Sequence, residues 1–171
     1  MGLHWKTASL VFVCALAACA VTTPLPEDYS GPKAYIRDSN NYEDSTKTQL
    51  FVVVAVDGQL IKNSIGATAG ASSGQGFRIT PTVVGRWIPA QPMKITIRGT
   101  HATGAPIQAL FGMASGSYQS VEGVVDFSPA ANGSYMVKGE LKRERSSVWI
   151  EDLNTNTSAT PKVSTEISVA K

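Results

Sequence analysis

Residues 50–61 read LFVVVAVDGQLI, and this stretch decides the fold class. Leu50 to Val56 is an unbroken apolar run rich in β-branched side chains, which suit a pleated surface better than a helix. The run stops at Asp57-Gly58, and Gln59-Leu60-Ile61 follows. Asp-Gly between two such runs signals a type I′ hairpin, because both central residues of that turn need positive φ. The chain therefore enters as a strand and reverses.

Outward from this point, a period of two continues. Met93, Ile95 and Ile97 alternate with Lys94, Thr96 and Arg98, giving one face for a core and one for water. Val121, Gly123, Val125 and Phe127 share a face, and Tyr135, Val137, Gly139 and Leu141 share another after a reversal at Asn132-Gly133. Val148 to Glu151 reads as one more strand. Phe77 to Pro89 is extended, but Pro81 and Pro89 restrict it to an edge or to broken strands. Only Pro106 to Ser115 looks mildly helical. Asp38 to Lys47 is polar and turn-like, Gly66 to Gly76 reads as a mobile loop of small residues, and Ser164 to Lys171 as a late strand or a tail. About seven short strands with regular turn signals predict an all-β, antiparallel β-sandwich, with a small β-barrel as the alternative.

The N-terminal stretch LVFVCALAACAVTTP, residues 10–24, holds both cysteines. Met1 to Lys6 supplies a short charged start, and the apolar run that follows ends in small residues, the layout of a secretory signal. A bilayer-spanning helix needs about 20 predominantly apolar residues, and this run is well short of that. Leu16-Ala17-Ala18-Cys19 resembles the lipobox of bacterial lipoproteins. The resemblance implies cleavage between Ala18 and Cys19, a diacylglycerol on the Cys19 thiol and acylation of the new terminus. Two or three acyl chains give lasting attachment where one does not, since each buried methylene contributes about 0.8 kcal/mol. Ala20 after the cysteine, by analogy with Gram-negative lipoproteins, favours passage to the outer membrane. The expected organisation is a signal peptide at 1–18, a lipidated flexible tether at 19–32 holding Pro24, Pro26, Gly31 and Pro32, and a β-sandwich domain at 33–171.

Cys14 then leaves with the signal and Cys19 is capped, so no disulfide supports the fold and an apolar core must do so alone. Loss of Lys6 brings the 15 basic side chains to one more than the 13 acidic ones, which offers nucleic acid no electrostatic footprint. Lys142-Arg143-Glu144-Arg145 is interrupted by a carboxylate and reads as a solvated turn.

The globular part also resembles small proteobacterial envelope lipoproteins with transthyretin-like or PEGA-like sandwich domains. The matching pieces are AYIRDS, FVVVAVDGQLI, RWIPAQPMKITIRGTH, ANGSYMVKGEL and VWIEDLNT, in that order. Gln91-Pro92 departs from the glycine such domains usually offer. The resemblance implies a fold and an envelope location and brings no active site with it.

Few residues carry chemistry. Gly70-Ala71-Ser72-Ser73-Gly74 matches the nucleophile elbow G-x-S-x-G, which works only on a sharp strand-to-helix turn, and the small residues around it favour a plain loop. His101 is the sole histidine beyond the leader; it precedes Glu122 and Asp126 and reads as a hydrogen bonder in a loop rather than a base. Asp152-Leu153-Asn154-Thr155-Asn156 imitates a calcium loop, yet Thr157 and Val163 stand where glycine and glutamate are required, so turn formation is the simpler reading. No Cys/His cluster suits zinc or iron, and no catalytic, metal or cofactor site is assigned. Tyr35, Trp87, Tyr118, Tyr135 and Trp149 form a pool of strand aromatics. Trp149 is opposite in phase to Val148 and Ile150; facing out beside Glu151 and Arg145, it and Arg145 become the candidate contact residues for a partner, whereas burial is the commoner fate of such a ring.

The expected function is a noncatalytic binding or structural module held on a lipid at the periplasmic face of the outer membrane, contacting another envelope protein or a glycan. The alternative is an envelope hydrolase with an unrecognised site.

Overall fold

The computed structural model describes residues 21–166. In chain order the elements are β1 (Lys33–Arg37), β2 (Ser39–Tyr42), β3 (Lys47–Val56), β4 (Gln59–Leu60), α1 (Ser64–Ser72), β5 (Gly85–Pro89) and β6 (Met93–Thr103). Then come α2 (Pro106–Ala114), β7 (Ser120–Phe127), β8 (Ser134–Leu141), β9 (Arg145–Asp152), β10 (Thr157–Ser158) and β11 (Val163–Glu166). They build a β-sandwich of two open sheets, so the barrel alternative falls. The first sheet runs β10-β9-β8-β1-β5 with β11 also on β9, and the second runs β2-β3-β6-β7 with β4 also on β3.

The Asp57-Gly58 turn forms as expected, with φ of 46° and 78°, and pairs Val56 with Gln59. The apolar run of β3 is continuous because both its faces are covered. Phe51 and Val53 enter the core between the sheets, while Leu50 and Val52 are equally buried on the opposite face, the side on which α1 packs. β6 is longer than its clear alternation suggests, running to Thr103 and pairing with both β3 and β7. Among the described strands all pairings are antiparallel except β1 with β8, and the isolated bridge between Thr22 and Ile61 is also parallel. Asn132, at φ 60°, turns the chain where Asn-Gly foretells it, but the turn closes no hairpin: it passes the chain from β7 in the second sheet to β8 in the first. Residues 21–32 are irregular and touch the domain where the Thr22 amide donates to the Leu60 carbonyl at 2.9 Å.

Two segments differ from expectation. Asp38 to Lys47 is not simply a turn, since it contains β2 and the buried corner residue Asp38. Gly66 to Gly76 is a loop only at its end: α1 is capped by Asn63, whose side chain accepts from the Ile65 and Gly66 amides, and runs to Ser72, after which residues 73–76 turn with Gly74 and Gly76 at φ of 77° and 64°. The helix lacks an apolar stripe because its buried face carries hydroxyls. Ser64, Thr68 and Ser72 accept the amides of Val84, Thr82 and Thr80 at 2.9, 3.0 and 2.9 Å. Four helical residues rise about 6 Å and two extended residues about 6.6 Å, so the two repeats stay in step. Pro81 lies between two donors, where the missing N–H costs nothing, and the helix thus replaces a neighbouring strand for residues 80–84. Thr68→Val should leave the Thr82 amide buried and unpaired and cost about 1–3 kcal/mol in urea unfolding, whereas Thr68→Ser should cost markedly less.

Candidate functional site

The signal-cleavage and lipidation residues Ala18 and Cys19, with Cys14, lie outside the described residues. Ser72 and His101 both border one cleft of about 700 Å³ between α1, β6 and α2. Each is committed elsewhere. Ser72 ends a helix rather than opening one, is buried, and its oxygen accepts the Thr80 amide. His101 does not sit in a loop; it is a β6 residue, 2 % exposed, in phase with Ile95, Ile97 and Gly99. Its Nδ1 accepts the Gln119 amide at 3.0 Å, which places the proton on Nε2, and Nε2 donates to Glu43 Oε1 at 3.1 Å. The Tyr118 hydroxyl donates to the His101 carbonyl. No ring nitrogen remains to take a proton from a serine.

Burial, helped by the nearby charge of Lys47, lowers the His101 pKa against the opposing pull of Glu43. Glu43 is itself lowered: partial burial pushes it up, but hydrogen bonds from Gln49 and Lys47 and the charges of Lys47 and His101 outweigh that. A histidine depressed in the folded state lets the unfolded chain bind protons first, so stability declines as pH falls below about 6.5. The Glu43 contribution is present above about 4.5 and is lost as pH falls through its lower folded value. The melting temperature should therefore drop between pH 7 and pH 5, and His101→Gln, though less stable at pH 7, should show a flatter profile. Equal slopes in the two proteins would refute this.

Asp152 forms a turn, as expected: its Oδ1 accepts the Asn154 amide at 2.8 Å and the Thr155 amide at 3.4 Å.

Trp149 and Arg145 behave differently. On β9, Ser146, Val148 and Ile150 are buried, which turns Arg145, Ser147, Trp149 and Glu151 outward on the solvent face of the first sheet. Trp149 is only partly covered, and the Lys162 ammonium stands 4.1 Å from its ring centroid. Its β8 partner Lys138 bonds Glu151 at 2.6 Å. Directly beside lies a polar cleft of about 260 Å³ lined by Glu140, Lys142, Arg145, Ser147, Lys162 and Ser164. Glu140 pairs with Lys142 at 2.8 Å, and the hydrogen bond and charge of Lys142, with the charge of Lys162, lower its carboxyl pKa. Glu140 and the nearby charge of Glu144 both act on Lys142, and Lys162 adds a second ammonium to the lining.

On the same face, β5 and β1 place Trp87 opposite Tyr35, with rings 5.3 Å apart and the Lys33 ammonium 5.1 Å from the indole. From the strand spacing and register, the two tryptophans stand roughly 20 Å apart on a diagonal of the sheet. Arg37, Met136 and Lys138 lie between them on outward positions. The Trp87 group could be found in the sequence by extending the alternation of RWIP to AYIR; which strands neighbour each other could not. No family model, curated protein or solved structure matches the chain.

Proposed function

We propose that this protein is a noncatalytic binding module, anchored by a lipid on Cys19 at the periplasmic face of the outer membrane. Its ligand is an acidic glycan of the envelope, gripped by the outer face of the first sheet. The observation that carries this reading is the pair of tryptophan–lysine groups on one solvent face, Trp87 with Lys33 and Trp149 with Lys162, beside the basic cleft at Arg145. Sugar rings present C–H faces that stack on indole, and the flanking ammonium groups of Lys33 and Lys162 pair with carboxylate or phosphate substituents. The use of Ser72 and His101 in internal hydrogen bonds supports a binding role over a hydrolytic one. The lipobox resemblance at residues 16–19 and the transthyretin-like or PEGA-like resemblance support the envelope location.

Polygalacturonate and dextran serve as acidic and neutral probes in titration calorimetry. Binding of the acidic polymer should weaken about tenfold in Trp149→Ala, about 1.4 kcal/mol, and should weaken with salt. Equal binding of dextran, or none of either polymer, counts against the reading. Palmitate labelling tests the anchor separately: Cys19→Ser should abolish incorporation.

A further inference from the structure

α2 is built inside out. Ile107, Leu110, Phe111 and Ala114 share a face by their spacing of three and four, with Met113 at its edge, and all of them are exposed. The opposite side, toward the domain, holds the half-buried Gln108, Ala109 and Gly112, and the Gln108 carboxamide accepts the Ala105 amide at the helix start. Leu110 is 62 % and Phe111 70 % exposed. A helix normally turns such a stripe inward. Here the four large side chains of α2 present roughly 500 Å² of apolar surface, toward the top of the range for the largest patch on a monomer.

We infer that this face is the contact between two copies of the chain in a two-fold symmetric dimer. The patch lies in a sequence free of charge: no Asp, Glu, Lys or Arg occurs from Gly99 to Tyr118. Two copies therefore meet without like-charge repulsion, as a self-complementary surface must. Charged groups stand at the border, with Asp44 and Lys47 lining the groove beneath Phe111, which gives the apolar centre and polar rim of an interface. Closing two such faces removes about 1,000 Å², the size of a weak association, so the dimer is concentration-dependent. A bilayer is the poorer occupant. Helices that lie in a membrane surface carry Lys or Arg on their polar side, and α2 has neither.

The test uses the full chain with Cys14→Ser and Cys19→Ser, which removes both thiols. Sedimentation should show a monomer–dimer equilibrium that Leu110→Asp weakens at least tenfold, with circular dichroism and melting temperature unchanged because the side chain is solvent-exposed. Leu110→Cys should crosslink between copies with a short bismaleimide, while Val124→Cys, exposed on β7, should not. A monomer at every concentration, or a dimer indifferent to Leu110→Asp, overturns the inference. So does binding to phosphatidylethanolamine–phosphatidylglycerol vesicles that Leu110→Asp abolishes, without self-association.

Discussion

Asp38→Ala should be among the most damaging single changes in the domain, costing about 3–5 kcal/mol and lowering the melting temperature by about 10 °C or more. Asp38 sits where the chain leaves β1 in the first sheet for β2 in the second, and it is 1 % exposed. Its backbone amide donates to the Val84 carbonyl at 2.9 Å, prolonging the β1–β5 pairing by one residue. Its carboxylate does the rest. One oxygen accepts the Val53 amide at 3.1 Å, and the other accepts the Ser64 amide and hydroxyl, both at 2.8 Å, and meets the Arg86 guanidinium at 2.9 Å. A single side chain thus joins β3, the start of α1 and β5 at the seam between the sheets.

The cost follows from what is left behind. Arg86 is almost fully buried, and its Nε and Nη1 already lack partners, so removing the carboxylate leaves an uncompensated charge in the interior. Two backbone amides lose their acceptor at the same time. Arg86→Met should cost less than Asp38→Ala, because Asp38 keeps its three donors and the unpartnered guanidinium nitrogens disappear. Urea unfolding at pH 7 gives this ranking directly; an Arg86→Met protein less stable than Asp38→Ala would reverse the account.

What could be read in advance was whatever rested on short-range pattern. The β3 run, the Asp57-Gly58 turn and the alternations of β6, β7 and β8 announce themselves within ten residues, and Pro81 and Pro89 place β5 at a sheet edge. The opposite phase of Trp149 to Val148 and Ile150 is equally legible, but not which of them faces the core: burial, the commoner fate of such a ring, is taken by the two aliphatic residues instead. The failures share a cause. Asp38 acts through Val53, Ser64 and Arg86, whose positions relative to it depend on the assembled sandwich. α1 was hidden because its buried side is polar, although Asn63 followed by hydroxyls at 64, 68 and 72 is a cap and a helical repeat in another alphabet. His101 was misread by ending β6 at Arg98; five more residues of the same alternation carry it into the interior. α2 matches the mildly helical stretch from Pro106 to Ser115, but nothing local says that its apolar side faces water.

Phe51→Ala should match the Asp38 effect, at about 3–5 kcal/mol, through a different mechanism. Phe51 is 3 % exposed and sits between two glycines, its β6 partner Gly99 and Gly139 on β8 of the facing sheet. The two missing side chains are the space that the ring occupies. A Cβ on Gly139 would come under 3.0 Å from both the Phe51 ring and the Ser147 carbonyl, and the second of these is backbone that cannot rotate away. Phe51→Ala therefore opens a cavity lined by backbone on two sides, which cannot collapse, and this places its cost toward the upper end of the range. Gly139→Ala should cost about 1–3 kcal/mol by overpacking. The pair should not be additive: with the ring gone, the new methyl group meets only Ser147, so the double variant should be more stable than the sum of the single losses implies, by about 0.5–1 kcal/mol or more. Strict additivity in urea unfolding would mean that the ring is not what keeps position 139 glycine, and that the tight approach of β8 to β9 at Ser147 alone does so.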